Sequence, residues 1–249
     1  MELSDFFLNF FASLKSWLLL FRWGDLGWGD EFFRGTLLTL LLAILAFVAA
    51  IIIGVAGATL AQSNNKKIIR AIDVYSTISR CLPELIMVLM VYFVFLRIFQ
   101  LPYLKELDFD SGIIGAPRAI AFISGAYSIE VFRGAYLAMP KGEVEAAHAY
   151  GFNLEQVRFM IIMPHLFRIA LPGLGNIWML LLKDVALVSL VGMHDLMGKA
   201  NIATFSTKHL FAFYIMAAII YLIITAVSEK IFEKIDRRNQ RSSRPLVQN

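Results

Sequence analysis

Apolar residues fall in five long runs separated by short polar stretches. A helix needs about 20 mostly apolar residues to cross a hydrocarbon core of about 30 Å. The first run, residues 37–60, is the longest without charge. It holds Gly54 and Ala58, a small pair four positions apart that permits close helix contact. The others cover residues 82–99, 119–138, 173–191 and 210–227, and the third is the most polar. The pattern predicts an all-α integral membrane protein with five transmembrane helices. Residues 1–34 form an outer or interfacial segment, 35–229 the transmembrane domain and 230–249 a basic tail. In residues 6–21, Asn9, Ser13, Lys15 and Ser16 interrupt the apolar run, so a helix lying in the interface is expected there.

Composition agrees. The chain is 59% apolar with a mean hydropathy of +0.68, where a soluble domain is nearer half apolar. A soluble fold would have to bury several helices that are apolar all round. The net charge of +4 is modest and concentrated at the C-terminus, which argues against nucleic acid. A lone Cys81 excludes an intrachain disulfide framework and a cysteine-rich metal site. His148, His165, His194 and His209 show no metal-ligand spacing. Glu2 and Asp5 stand where a signal peptide wants positive charge, and no A-x-A site follows.

Basic residues set the direction. The segments after runs one and three, with the tail, hold 14 Lys and Arg, whereas the opposite side holds seven. The positive-inside rule then places the N-terminus outside and the C-terminus in the cytoplasm.

Residues 139–168, on the inner side, are too polar to cross lipid. Pro140 starts a helix well, and Glu143 and Glu145 suit its positive end. Ala146, Ala147 and Ala149 favour helix, and Gly151 can take the left-handed conformation that ends one. Asn153 and Gln156 match a capping box for a second helix, which Pro164 should stop or kink. This helical hairpin either only connects two spans or docks a cytoplasmic partner.

Glu145-Ala146-Ala147, Gly151, Ile161 and Met163-Pro164 resemble the EAA loop of ABC-importer permease subunits. Met163 departs from the usual leucine. Arg80-Cys81-Leu82-Pro83-Glu84-Leu85 resembles the R-G-x-P-E/D-L segment of polar amino-acid permeases, with Cys81 in place of glycine. Phe132-Arg133-Gly134-Ala135, the run IALPGLGN from Ile169 and LKDVALVSL from Leu182 are similar to the branch that moves histidine, arginine, ornithine or opines. The resemblance implies a five-helix permease of the bacterial inner membrane that works by alternating access. It implies a second permease, identical or homologous, an ABC ATPase dimer docked on the loop, and a periplasmic solute-binding protein. Glu145, Ala146, Ala147, Gly151, Ile161 and Pro164 would be the coupling residues. The chain has no G-x-x-x-x-G-K-[ST], because Gly198-Lys199 lacks the earlier glycine and a following Ser or Thr. No cofactor is therefore expected on this chain, ATP-Mg belongs to the partner ATPase, and an enzyme is not expected. An ATP-independent channel is the rival reading and would need no docking hairpin.

The fourth run carries Lys183 beside Asp184, which is costly inside a membrane. Adjacent helical residues point about 100° apart, so the two are poorly placed to satisfy each other. Either they form structural ion pairs with other helices, Glu130 being one candidate, or Asp184 reads the cationic group of an amino-acid substrate. In the second case Glu130 adds negative field and Lys183 meets the substrate carboxylate. Ser128 on the third run and Asn176, seven positions before Lys183, would extend the cavity wall.

Overall fold

The computed structural model describes residues 19–24, 27–99 and 112–242. Every regular element among them is helical: α1 (Gly29–Leu60), α2 (Lys66–Cys81), α3 (Glu84–Phe99), α4 (Gly112–Ala138), α5 (Lys141–Ala149), α6 (Leu154–Val191), α7 (Leu196–Thr207) and α8 (Leu210–Ser242). Most of the expected interfacial helix over 6–21 lies outside the described residues.

Among the described residues, three helices are long and apolar enough to cross a membrane on length and composition: α1, α6 and α8. The apolar part of α3 is shorter, Glu84–Val94. The helix α4 carries Arg118, Glu130 and Arg133 and holds Pro117 within it. Asp30 and Glu31 occupy the first turn of α1, where the helix dipole favours negative charge.

Packing is built on small residues. Ala43, Ala46, Ala50, Gly54 and Ala58 line the buried stripe of α1, and that stripe lies along α4. A Cβ on Gly54 would lie 2.5 Å from the Ser128 Cβ, so only glycine lets the two backbones approach this closely. Leu42 of α1, Ile120 of α4 and Leu181 and Val185 of α6 form one buried cluster. Phe32, Leu196, Ala203 and Phe213 form another, which seats α7 between α1 and α8.

Two elements lay hidden in the sequence. Helix α2 fills what reads as a basic inner loop, with Asn65 as its N-cap accepting from the Lys67 N–H at 3.0 Å. Helix α7 follows Asp195, whose carboxylate caps it by accepting from the Gly198 and Met197 N–H groups. Thr39 Oγ1 accepts from the Leu196 N–H at 3.0 Å, and Lys199 pairs with Glu31.

Pro164 does not stop the helix. The helix neither stops nor breaks there but continues to Val191. A π-helical turn over Val157–Ile162 precedes the proline, and the Met163 N–H bonds to the Arg158 carbonyl, one residue wider than an α-turn. The wider turn accommodates a ring that lacks an N–H and would crowd the preceding turn. Pro172 is handled differently. It leaves the Arg168 carbonyl without its helical donor, and Asn239 of α8 supplies a replacement at 3.0 Å.

Candidate functional site

The hairpin is closed by local chemistry. Helix α5 ends in a Schellman motif: the Phe152 N–H reaches the Ala147 carbonyl at 3.1 Å and the Gly151 N–H reaches that of His148 at 3.0 Å. Gly151 has φ +84°, the left-handed region this motif demands. Asn153 and Gln156 form the expected capping box, with reciprocal bonds of 2.9 and 2.8 Å. His165 Nδ1 lies 2.7 Å from Glu143 Oε2 and ties α5 to α6. Ala147 is buried beneath the hairpin, whereas Glu145, Ala146 and Gly151 are exposed and Ile161 is half-buried. Tyr150 and Leu154 are 85% and 77% exposed, so the tip presents apolar side chains outward. Because α6 runs unbroken from Leu154, the second arm of the hairpin is the same rod that carries Asp184. Pro164 and Asp184 are 20 residues apart, about 30 Å at helical rise.

Inside the bundle Asp184, only 4% exposed, lies within electrostatic reach of Glu84 on α3. Tyr127 of α4 lies within electrostatic reach of both, and of Arg80. Neither carboxylate makes a salt bridge among the described residues. The helix α3 begins at Glu84 because Pro83 interrupts the chain after α2 and cannot continue that helix.

The structure does not bring the other expected residues to Asp184. Glu130 lies in a separate network. It accepts from Ser76 Oγ at 2.7 Å and pairs with Arg133 at 3.4 Å and Arg80 at 3.6 Å. Arg133 also holds Asp73 at 2.7 Å. These bonds fasten α2 to α4, helped by the Tyr75 hydroxyl donating to the Phe122 carbonyl. Burial pushes the Tyr75 hydroxyl up from its ordinary range, so it remains a donor. Ser128 is fully buried against Gly54, where close packing of α1 on α4 leaves no room for a cavity. Lys183 and Asn176 share a face of α6, but it is the face toward α8 and not that of Asp184. Glu84 is the functional candidate the sequence reading missed, and the R-C-L-P-E-L segment containing it was the available signal.

A family model described as the inner membrane component of binding-protein-dependent transport systems matches residues 50–241. The chain belongs to this family. The permease is 36% identical over 228 residues to an octopine transport system permease protein of Rhizobium radiobacter, covering 89% of this chain and 95% of that one. It is 38% identical over 216 residues to a histidine/lysine/arginine/ornithine transport system permease protein of Escherichia coli, covering 85% and 94%. Its fold matches a crystal structure of an amino acid ABC transporter with histidines at TM-score 0.70 and 28% identity, covering 85% and 95%. A methionine ABC transporter in an inward-facing conformation shares the fold at TM-score 0.71 and 16% identity. The permease is thus a membrane transport subunit, as the hairpin motif implied.

Proposed function

We propose that this permease imports a cationic amino acid or opine, and that Asp184 and Glu84 hold the positive end of the substrate. One observation carries the reading. Two acidic side chains lie within electrostatic reach of each other inside the bundle, one of them almost wholly buried, and neither makes a salt bridge with a lysine or arginine among the described residues. Such a pair is stabilised by a positive charge placed against it, and a guanidinium or ammonium fits. The named substrates of the relatives, octopine and the basic amino acids, have that chemistry. Glu130 then positions α2 against α4 and does not touch substrate.

The motor is a partner. An ABC ATPase dimer grips the hairpin tip at Tyr150, Leu154, Glu145 and Ala146, and the ATP-Mg it hydrolyses would be bound within the ATPase and not by this chain. Force enters through α5 and the Schellman turn and passes along α6 to Asp184. The five helices α1, α3, α4, α6 and α8 span the membrane, with the N-terminus outside and the C-terminus in the cytoplasm. A second permease completes the assembly, and a periplasmic binding protein delivers substrate on the outer side.

The test is Asp184→Asn in the assembled, reconstituted transporter. Removing one charge-assisted bond is worth about 1.5–3 kcal/mol. Arginine uptake should fall roughly ten- to a hundredfold, while any uptake of a neutral amino acid changes little. Equal loss for both, with normal assembly, would refute charge reading at this residue. Conductance by the permease alone, without ATPase, would favour the channel.

A further inference from the structure

Helix α8 continues past the end of its apolar run and changes character there. Residues 210–228 carry no Asp, Glu, Lys or Arg. They reach about 28 Å at helical rise, close to a hydrocarbon core of about 30 Å. Acidic and basic residues then alternate in sequence, and packing against α6 sorts them. The approach of Phe232 to Gly175 and the bond from Asn239 to the Arg168 carbonyl define the side of α8 turned to α6. Glu229, Glu233 and Asp236 line the groove on that side. At about 100° per residue, Lys230, Lys234, Arg237 and Arg238 lie within about 60° of the point opposite Phe232. All four are exposed. Arg237 pairs with Glu233. Lys230, Lys234 and Arg238 make no salt bridge among the described residues. They are spaced four apart, a row of like charge that weakens an isolated helix.

What lies above the row selects its occupant. Ile219, Ile223 and Val227 are each about half exposed and lie within about 40° of the point opposite Phe232. One face of α8 therefore turns from apolar to cationic where the uncharged run ends. A bilayer presents tails and then phosphates in that order, with a headgroup layer about 5–8 Å thick. Lys230 and Lys234 stand about 3 and 9 Å below the level of Ser228. Arg237 and Arg238 stand about 14 and 15 Å below it. Side chains lean toward the N-terminus of their own helix, here back toward the membrane. The two arginines thus stay within a Debye length of about 8 Å of the headgroup layer. A protein partner would have to match the apolar stripe and the cationic row together.

We propose that Lys230, Lys234 and Arg238, with Arg237 beside them, bind anionic phospholipid headgroups where α8 leaves the membrane. The proposal rests on the reading that α8 spans the bilayer, which makes the cytoplasmic leaflet the one contacted. A phosphatidylglycerol headgroup supplies the negative charge that the row lacks. Lipid held there fixes the depth of α8. The bond from Asn239 to the Arg168 carbonyl passes that setting to α6, the rod that joins the hairpin to Asp184.

The test uses the assembled importer in nanodiscs of mixed phosphatidylcholine and phosphatidylglycerol. Lipid retained after mild detergent extraction is quantified by mass spectrometry. Both faces of a nanodisc carry the same lipids, so the readout is independent of orientation. Wild type should retain phosphatidylglycerol over phosphatidylcholine by at least about fivefold, and high salt should shrink the excess. Lys230→Gln, Lys234→Gln and Arg238→Gln together should bring the ratio close to one. The charge-conserving set Lys230→Arg, Lys234→Arg and Arg238→Lys should keep it. Lys234→Gln alone should lower it at least about twofold, which covers a triple variant that does not assemble. A wild-type ratio near one, or a preference unchanged in the glutamine variants, would overturn the proposal. So would loss of the ATPase from the triple variant with lipid preference intact, since the row would then be an ATPase contact. Reporter enzymes fused after His209 and after Asn249 check the span itself. Both on one side would refute the span and the proposal with it. A ratio near one with the reporters on opposite sides would refute the proposal alone.

Discussion

Within about fifteen residues the cytoplasmic hairpin satisfies the backbone groups its turn exposes. Gly151 supplies the left-handed residue, the Ala147 and His148 carbonyls receive their donors, and Asn153 and Gln156 cap the next helix. The carboxylate site in the bundle is the opposite case. Asp184 lies within electrostatic reach of Glu84, one hundred positions earlier, which sets one acidic group beside another. The first region is complete by itself and suits a rigid handle, leaving Glu145 and the apolar Tyr150 and Leu154 exposed for a partner. The second is left without an ion-pair partner among the described residues, and under the proposed reading the cationic end of the substrate completes it. Helix α6 joins the two, so a load on the handle is delivered at the charge.

Substituting the two acidic candidates separately sharpens this contrast most. Glu84→Gln should lower arginine uptake roughly ten- to a hundredfold, the equivalent of one charge-assisted bond, and spare neutral substrates. Glu130→Gln should lower uptake of all substrates alike and only a few-fold, because Glu130 is already matched by Arg80 and Arg133. If charge selectivity followed Glu130 instead, the contact between α3 and α6 would not be the reading site. Uptake of radiolabelled arginine and a neutral amino acid in proteoliposomes decides between them.

The hairpin should respond in a different currency. Gly151→Val places a β-branched residue at φ +84°, a conformation that costs about 1–2 kcal/mol for any L-residue and more for valine. The hairpin should deform and substrate-stimulated ATP hydrolysis should fall about tenfold. Binding of arginine to the permease, measured by calorimetry, should stay within about twofold. Unchanged coupling would mean that the turn does not transmit force.

What could be read from the sequence follows the same division. The hairpin was legible because capping and left-handed turns are written in neighbouring residues. The apolar runs were legible because lipid demands a minimum length. The faces of the helices were not. Glu130 and Ser128 sit near each other on α4, yet one points to α2 and the other to Gly54. A depth estimate along one helix gives no azimuth. A π-turn upstream lets the helix continue past Pro164, and nothing local announces that turn. Helix α2 was read as loop because its polar residues, Asp73, Ser76 and Arg80, bond to α4 and not to water alone.

A third carboxylate tests whether burial alone makes a site. Asp195 is fully buried, but it caps α7 and accepts from two backbone N–H groups. Burial pushes its carboxyl up from 3.8 to about 6, partly opposed by those donors. A carboxyl raised on folding adds stability below the unfolded value, and that contribution is lost as pH rises through the folded value. Wild-type protein should therefore gain thermal stability relative to Asp195→Asn as pH falls from about 7.5 to about 5, by about 1 kcal/mol. The asparagine keeps one acceptor for the cap and does not titrate. Substrate selectivity should be unaffected, which separates this residue from Asp184. A pH-independent difference would show that Asp195 does not titrate in this range. A change in selectivity would erase the distinction between a buried carboxylate its own chain completes and the one proposed to meet a cationic substrate.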